Sequence, residues 1–183
     1  SVVMSRLGVA VEAMSGPAMF QALQSGALDA GEFIGPWTDS GLGLQQVAPY
    51  YYDNGVGEPS SAEECAINMD SWNRLPDDLK AAVELAAESL YNAVLTEYNT
   101  KHALALRQLV EGGTQVRAWP EEIIIAMGNT MAEVLEEMRG DSDELVGRIT
   151  QSFLDYRALM ADYMVHSEAA QLAARALPFT YPR

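Results

Sequence analysis

Hydrophobic positions in the first third of the chain come in short runs, and from Pro76 onward they recur every three to four residues. Val9–Val11, Leu28–Ile34, Pro49–Tyr52 and Glu64–Asn68 are the short runs. Each is bounded by glycine, proline, aspartate or asparagine, so each predicts a brief extended segment. Between them, Pro17 suits the first position of a helix through Leu23 that Gly26 closes. Residues 36–48 predict a second short helix, with Pro36 near its start and Leu42, Leu44 and Val47 as its apolar contribution. The opening Ser1–Gly8 reads as the last turns of a helix stopped by Gly8. A chain that begins inside an element is expected to be part of something longer. Residues 1–14 also lack the basic start and cleavage pattern of a signal peptide.

The second half has a different period. Leu79, Val83, Ala86, Leu90, Val94, Tyr98, Ala105 and Leu109 trace one helix face. They predict a helix from Pro76 to Glu111, about 50 Å long at 1.5 Å per residue, stopped by Gly112–Gly113. Strict heptads are not sustained, which favours a spine crossing more than one lobe over a coiled coil. Thr114–Val116 predicts a strand, and Pro120–Glu122 opens a helix to Arg139 with acidic residues at its positive end. Gly140–Ser142 breaks the chain before a last helix over residues 142–176. Along it Leu145, Ile149, Phe153, Tyr156, Leu159, Met160, Tyr163 and Met164 form a stripe expected to be core packing. Short strands among helices, followed by a helical half, indicate a helix-rich α/β protein with a small sheet. The strands are too few for a doubly wound one.

Composition narrows what such a fold can do. With 183 residues and 49% apolar content the chain can bury a core. Twenty-six acidic against eleven basic residues give a net charge of −15. That argues against nucleic acid and anionic membranes as partners, since no basic face is available to meet phosphate. One cysteine, Cys65, excludes an internal disulfide framework. The two histidines, His102 and His166, lack ligand-spaced partners and are expected to pack or face solvent. No run of eighteen apolar residues is available to span a bilayer.

The candidate chemistry lies in Leu28–Trp37, where Glu32 stands among glycines, small residues and two aromatics. One reading is a polar-ligand or metal pocket. There Glu32 gives a hard oxygen, Phe33 and Trp37 an apolar wall, and the glycines let main-chain carbonyls approach. The other is a solvated glutamate at a strand end. Residue chemistry alone leaves both open.

The segment Ala22–Pro36 resembles the "ALxxGxxDAxEWxGP" stretch of solute-binding proteins of tripartite ATP-independent periplasmic (TRAP) transporters, in the subgroup for 2-oxo and 2-hydroxy monocarboxylates. Val47–Tyr52 is similar to its "VAxYYY" stretch, and Glu58-Pro59 with Glu64-Cys65 and Asn68 to its "EP…EC…N" run. Leu75–Leu79, Gly113–Arg117 and Pro120-Glu121 continue in collinear order. The resemblance implies the C-terminal portion of a two-lobed periplasmic-binding-protein fold with a long spine helix. Residues 1–60 would line the ligand cleft, residues 61–112 would carry the crossover and spine, and residues 113–183 would pack on the lobes. It also implies a small organic acid held with a bridging sodium or calcium ion, delivery to TRAP permease subunits, and a periplasmic location. Glu32, the Phe33 main-chain carbonyl and Glu58 would ligate the cation, and Glu32 and Phe33 would contact the solute. The family has tryptophan where Phe33 and Val56 stand here, so the pocket wall would be smaller. Its carboxylate-clamping arginine falls before residue 1, and Arg6 sits too early for that part. A homodimer exchanging the C-terminal helix is a further implication. The other functions the residues permit are a helical oligomerisation protein built on residues 76–176, and a metal-dependent hydrolase using Glu32 and Glu58. The hydrolase would have neither a nearby histidine nor a base-paired nucleophile.

Overall fold

A computed structural model describes residues 2–52 and 64–180. The chain order is α1 (Val2–Arg6), α2 (Gly16–Ser25), α3 (Pro36–Gly41), a 3₁₀ turn (Leu44–Gln46), β1 (Tyr50–Tyr52), α4 (Met69–Arg74), α5 (Asp77–Glu111), β2 (Gln115–Arg117), α6 (Glu121–Arg139), α7 (Glu144–His166) and α8 (Glu168–Arg175). These residues form two compact units. One runs from Glu12 to Ile124; the other joins the residues up to Val11 with those from Ile125 onward.

In the Glu12–Ile124 unit, β1 and β2 pair in parallel with Tyr50, Tyr51 and Tyr52 opposite Gln115, Val116 and Arg117. A parallel pair needs a crossover of a dozen or more residues, and here α4 and α5 supply it. The two-residue period of the strand sends Tyr51 to one face and its neighbours to the other. On that other face the Arg117 guanidinium lies 3.8 Å from the centre of the Tyr50 ring, and the Tyr52 and Trp119 rings are 4.8 Å apart.

The long helix is 35 residues, as the periodicity predicts, but its stripe is buried only where α3 covers it. Ala105 and Leu109 are buried, and the Trp37 ring meets Tyr98 edge-on at 5.3 Å. Leu79, Leu85, Leu90, Tyr91 and Leu95 in the first half are exposed, because α3 is only six residues long and cannot reach them. Gly113 ends the helix at φ +97°. The Thr114 N–H then returns to the Leu109 carbonyl at 2.9 Å and the Gly113 N–H to that of Val110 at 3.0 Å, a Schellman closure. Gly26, at φ +74°, closes α2 in the same way.

Several predicted elements take other forms. Val9–Val11 and Leu28–Ile34 run without a ladder, since no neighbouring strand among the described residues offers them hydrogen bonds. Glu64–Asn68 is not a strand. Its last residue, Asn68, accepts the Ser71 N–H at 3.1 Å and so starts the unforeseen helix α4. The single helix expected over residues 36–48 divides into α3 and the 3₁₀ turn at Gly43, whose φ is +78°.

The other unit comprises α1, most of α6, and α7 with α8. Arg6 pairs bidentately with Glu137, at 2.8 Å from Nη1 to Oε1 and 2.5 Å from Nη2 to Oε2. That hydrogen bonding holds the Glu137 carboxyl below its ordinary range and raises the Arg6 guanidinium. The Asp143 carboxylate caps α7 by accepting the Leu145 N–H at 2.9 Å. The expected core stripe of α7 faces outward: Leu145, Ile149, Phe153, Tyr156, Leu159 and Tyr163 are all at least half exposed. The helix packs instead through Val146, Thr150 and Leu154, with Thr150 only 3% exposed and its hydroxyl returned to the Val146 carbonyl at 2.9 Å. The final predicted helix breaks at Ser167, where φ −117° and ψ −94° separate α7 from α8.

Candidate functional site

Residues 27–35 connect the glycine-closed end of α2 to the proline-opened start of α3 and carry the candidate carboxylate. Proline at the first helical position needs no hydrogen bond for its absent N–H, so the chain turns directly from loop into helix at Pro36. Glu32 is exposed in this connection. The Phe33 ring is half buried beside Gly16: a Cβ placed there would sit 3.2 Å from Phe33 Cζ and 2.5 Å from Leu42 Cδ1. Glu58 lies outside the described residues.

What fixes this loop is a buried carboxylate absent from the sequence-based candidates. Asp39, 8% exposed, reaches back over the start of its own helix. Its Oδ1 accepts the Gly35 N–H at 3.0 Å and the Ile34 N–H at 3.2 Å, with the Thr38 hydroxyl at 3.4 Å. Its Oδ2 accepts the Tyr51 hydroxyl at 2.8 Å, tying loop and helix to strand β1. A carboxylate this deep is tolerable only because its oxygens are satisfied by donors. No side-chain polar atom among the buried described residues lacks a partner. Burial, then the hydrogen bond to Asp39, then the negative charges of Asp39 and Glu32 push the Tyr51 hydroxyl far above the ordinary tyrosine range.

The long helix holds the loop from another side. The Trp37 N–H donates to His102 Nδ1 at 3.1 Å, which places the histidine's own proton on Nε2. The ring then lies so close to Gly35 that a Cβ there would come within 2.7 Å of His102 Cε1. Lys101 Nζ sits 4.0 Å from the centre of the Trp37 ring. His102 thus packs, as expected, and also accepts a hydrogen bond. An aspartate in the first turn after Gly-Pro, followed twelve residues later by a tyrosine in an extended run, is the sequence signal that could have pointed to Asp39 and Tyr51.

Among the described residues no three histidine, cysteine, aspartate or glutamate side chains gather as a metal cluster. Glu32 and the main-chain oxygens around it offer hard donors without nitrogen or sulfur, a set suited to calcium or sodium and not to zinc. Those residues fit such an ion if main-chain carbonyls complete the coordination. A separate open cleft of about 440 Å³ lies near the end of α5, lined by residues including Ser40, Gln45, Gln108, Leu109 and Thr114. No charged side chain lines it, so it offers nothing to neutralise an ion.

The profile of bacterial extracellular solute-binding protein family 7 matches residues 1–141. The chain belongs to this family. It is 36% identical over 135 residues to a monocarboxylate 2-oxoacid-binding periplasmic protein of Nostoc sp., covering 74% of this chain and 37% of that protein. A TRAP periplasmic solute-binding protein from Colwellia psychrerythraea, solved with bound calcium and pyruvate, superposes with a TM-score of 0.83 at 25% identity, covering 94% of this chain and 52% of that one. A TRAP transporter solute-binding protein from Bordetella bronchiseptica, described as a mixed-occupancy dimer with calcium and picolinate in one active site and the other apo, gives 0.73 at 29% identity. The match covers 96% of this chain and 54% of that one. The architecture is that of the TRAP periplasmic binding proteins, and this chain spans about half the length of those structures and less of the curated relative.

Proposed function

We propose that this protein is the solute-binding subunit of a TRAP transporter. In this reading it captures a small 2-oxo or 2-hydroxy monocarboxylate together with a calcium or sodium ion in the periplasm, and presents it to membrane permease subunits without chemical turnover. The family match over residues 1–141 carries the reading. The 2-oxoacid ligand named for the Nostoc relative and the calcium–pyruvate pair of the Colwellia structure support the choice of solute and ion.

Electrostatics favours a bound ion. A chain with a net charge of −15 repels an organic anion unless positive charge is concentrated where the anion docks. A bound cation supplies that charge and a coordination position for the carboxylate oxygen. The Glu32 carboxylate and the Phe33 main-chain carbonyl are the donors from the described part of the chain, with Glu58 as the third. The Phe33 ring, seated beside Gly16, forms part of the apolar wall. In the same reading the exposed stripe of α7 joins two copies of the chain, an arrangement supported by its apolar character and by the dimer of the Bordetella relative.

Calorimetric titration of pyruvate into the intact protein tests the function. Binding is expected in the presence of calcium, with strong weakening after chelation and a loss of at least about tenfold in E32Q. Pyruvate affinity indifferent to chelation would remove the ion from the mechanism.

A further inference from the structure

We propose that Asp39 is a positioning residue that aims the Phe33 carbonyl into the cation site; the inference rests on the reading of Glu32 and Phe33 as cation ligands. Phe33 C=O and Ile34 N–H belong to one planar peptide unit, and in a trans peptide the two bonds point in opposite directions. All peptide bonds among the described residues are trans. A group that captures the Ile34 N–H therefore also fixes the direction of the Phe33 oxygen. Asp39 Oδ1 is that group, at 3.2 Å from the Ile34 nitrogen and 3.0 Å from the next one. With two consecutive N–H groups held on one oxygen, the Phe33–Ile34 peptide cannot rotate, and its carbonyl is presented on the side away from Asp39.

The charge on Asp39 adds to the geometry. A carboxylate accepting an amide N–H polarises that amide and leaves more electron density on its carbonyl oxygen, which strengthens it as a donor to a hard cation. Asp39 does not serve as a ligand itself. It is buried, and both of its oxygens are engaged by loop amides and by the Tyr51 hydroxyl. The aspartate is held in turn: its helix is locked to α5 by the Trp37 N–H on His102, and its second oxygen to β1 by Tyr51. The Phe33 ring is itself packed beside Gly16. The amide and the side chain on either end of the donor carbonyl's residue are thus held by Asp39 and by packing at Gly16.

The sequence allows a direct test, because Phe33-Ile34 is its single Phe-Ile pair. Labelling the intact protein with ¹³C-carbonyl phenylalanine and ¹⁵N-isoleucine restricts the carbonyl–nitrogen NMR correlations to Phe-Ile peptides, and that of Phe33-Ile34, identified by its loss in I34V, is followed as calcium chloride is added with pyruvate present. The wild-type correlation is expected to shift on saturation. D39A is expected to weaken calcium binding about 10–100-fold, the range for residues that orient a metal ligand, and D39N, which keeps one accepting oxygen, to recover much of it. Y51F removes one of the two anchors of the same carboxylate but leaves the loop amides held, so its loss of calcium affinity is expected to be clearly smaller than that of D39A. A wild-type correlation that ignores calcium overturns the proposal, as does an equal loss in Y51F and D39A, the pattern of a merely structural role. If E32Q loses calcium while the Asp39 variants keep it, the aiming role fails and the site assignment stands. If E32Q binds calcium as wild type does, both fail.

Discussion

A tyrosine hydroxyl 2.8 Å from a buried carboxylate cannot ionise without setting two negative charges side by side. Burial first, and then this hydrogen bond and charge, make Tyr51 keep its proton to higher pH in the folded protein than in the unfolded chain. A group raised on folding contributes stability that is fully present below its unfolded value, about pH 10 for tyrosine, and lost as pH rises through its folded value. Spectrophotometric titration near 295 nm should show Tyr51 missing from the ordinary alkaline transition, identified by the absence of that late step in Y51F. In D39N it should titrate at lower pH. Normal titration of all the tyrosines in the wild type would contradict the buried Tyr51–Asp39 pair. At this scale Glu32 and Phe33 stand out in the sequence as candidates because a lone carboxylate among glycines and aromatics is conspicuous locally. Asp39 and Tyr51 were hidden, since their meaning depends on a contact across twelve residues and on burial.

At the scale of elements, the long helix was legible, whereas of the five predicted extended runs only Pro49–Tyr52 and Thr114–Val116 became strands. A helix closes its hydrogen bonds within itself, so period, caps and stops are all written locally. The 35 residues of α5 emerge almost as predicted for that reason. A strand needs a neighbour, so Tyr50–Tyr52 became one by pairing with Gln115–Arg117, while Val9–Val11 did not. The α5 stop carries its own prediction. Gly113 sits at φ +97° with nothing within 4 Å of where a Cβ would lie, so G113A tests the backbone alone. It should lower stability by roughly 1–2 kcal/mol, the cost of a left-handed side-chain-bearing residue, with little change in the m-value. Urea unfolding measures it; an unchanged midpoint would mean the turn relaxes out of its left-handed conformation.

At the scale of the whole molecule, charge and exposed apolar surface point to different partners. The net charge of −15 argues against phosphate polymers as partners of this part of the protein. The stripe from Leu145 to Tyr163 offers an apolar face on a single helix, suited to a second copy of the chain. Light scattering of the intact protein is expected to give a dimer mass that falls to the monomer in L159D, whose residue is 68% exposed and tolerates a charge without unfolding the chain. Deletion of residues 167–183 separates the helix stripe from the tail: a dimer that survives it assigns the interface to α7 and ends the exchange of the tail.

Taken alone, the amino-acid order determined α2 and the long helix α5 with their glycine stops, the acidic balance and the segment that carries Glu32, because each depends on neighbours within a few residues. Which face of each helix is covered, which short run finds a strand partner, and which carboxylate holds the loop were decided only by tertiary structure. Those outcomes depend on what is brought alongside from distant parts of the chain. The α7 stripe has the spacing of a core and lies outside, whereas Asp39 has the chemistry of a surface residue and is buried beneath the loop it organises.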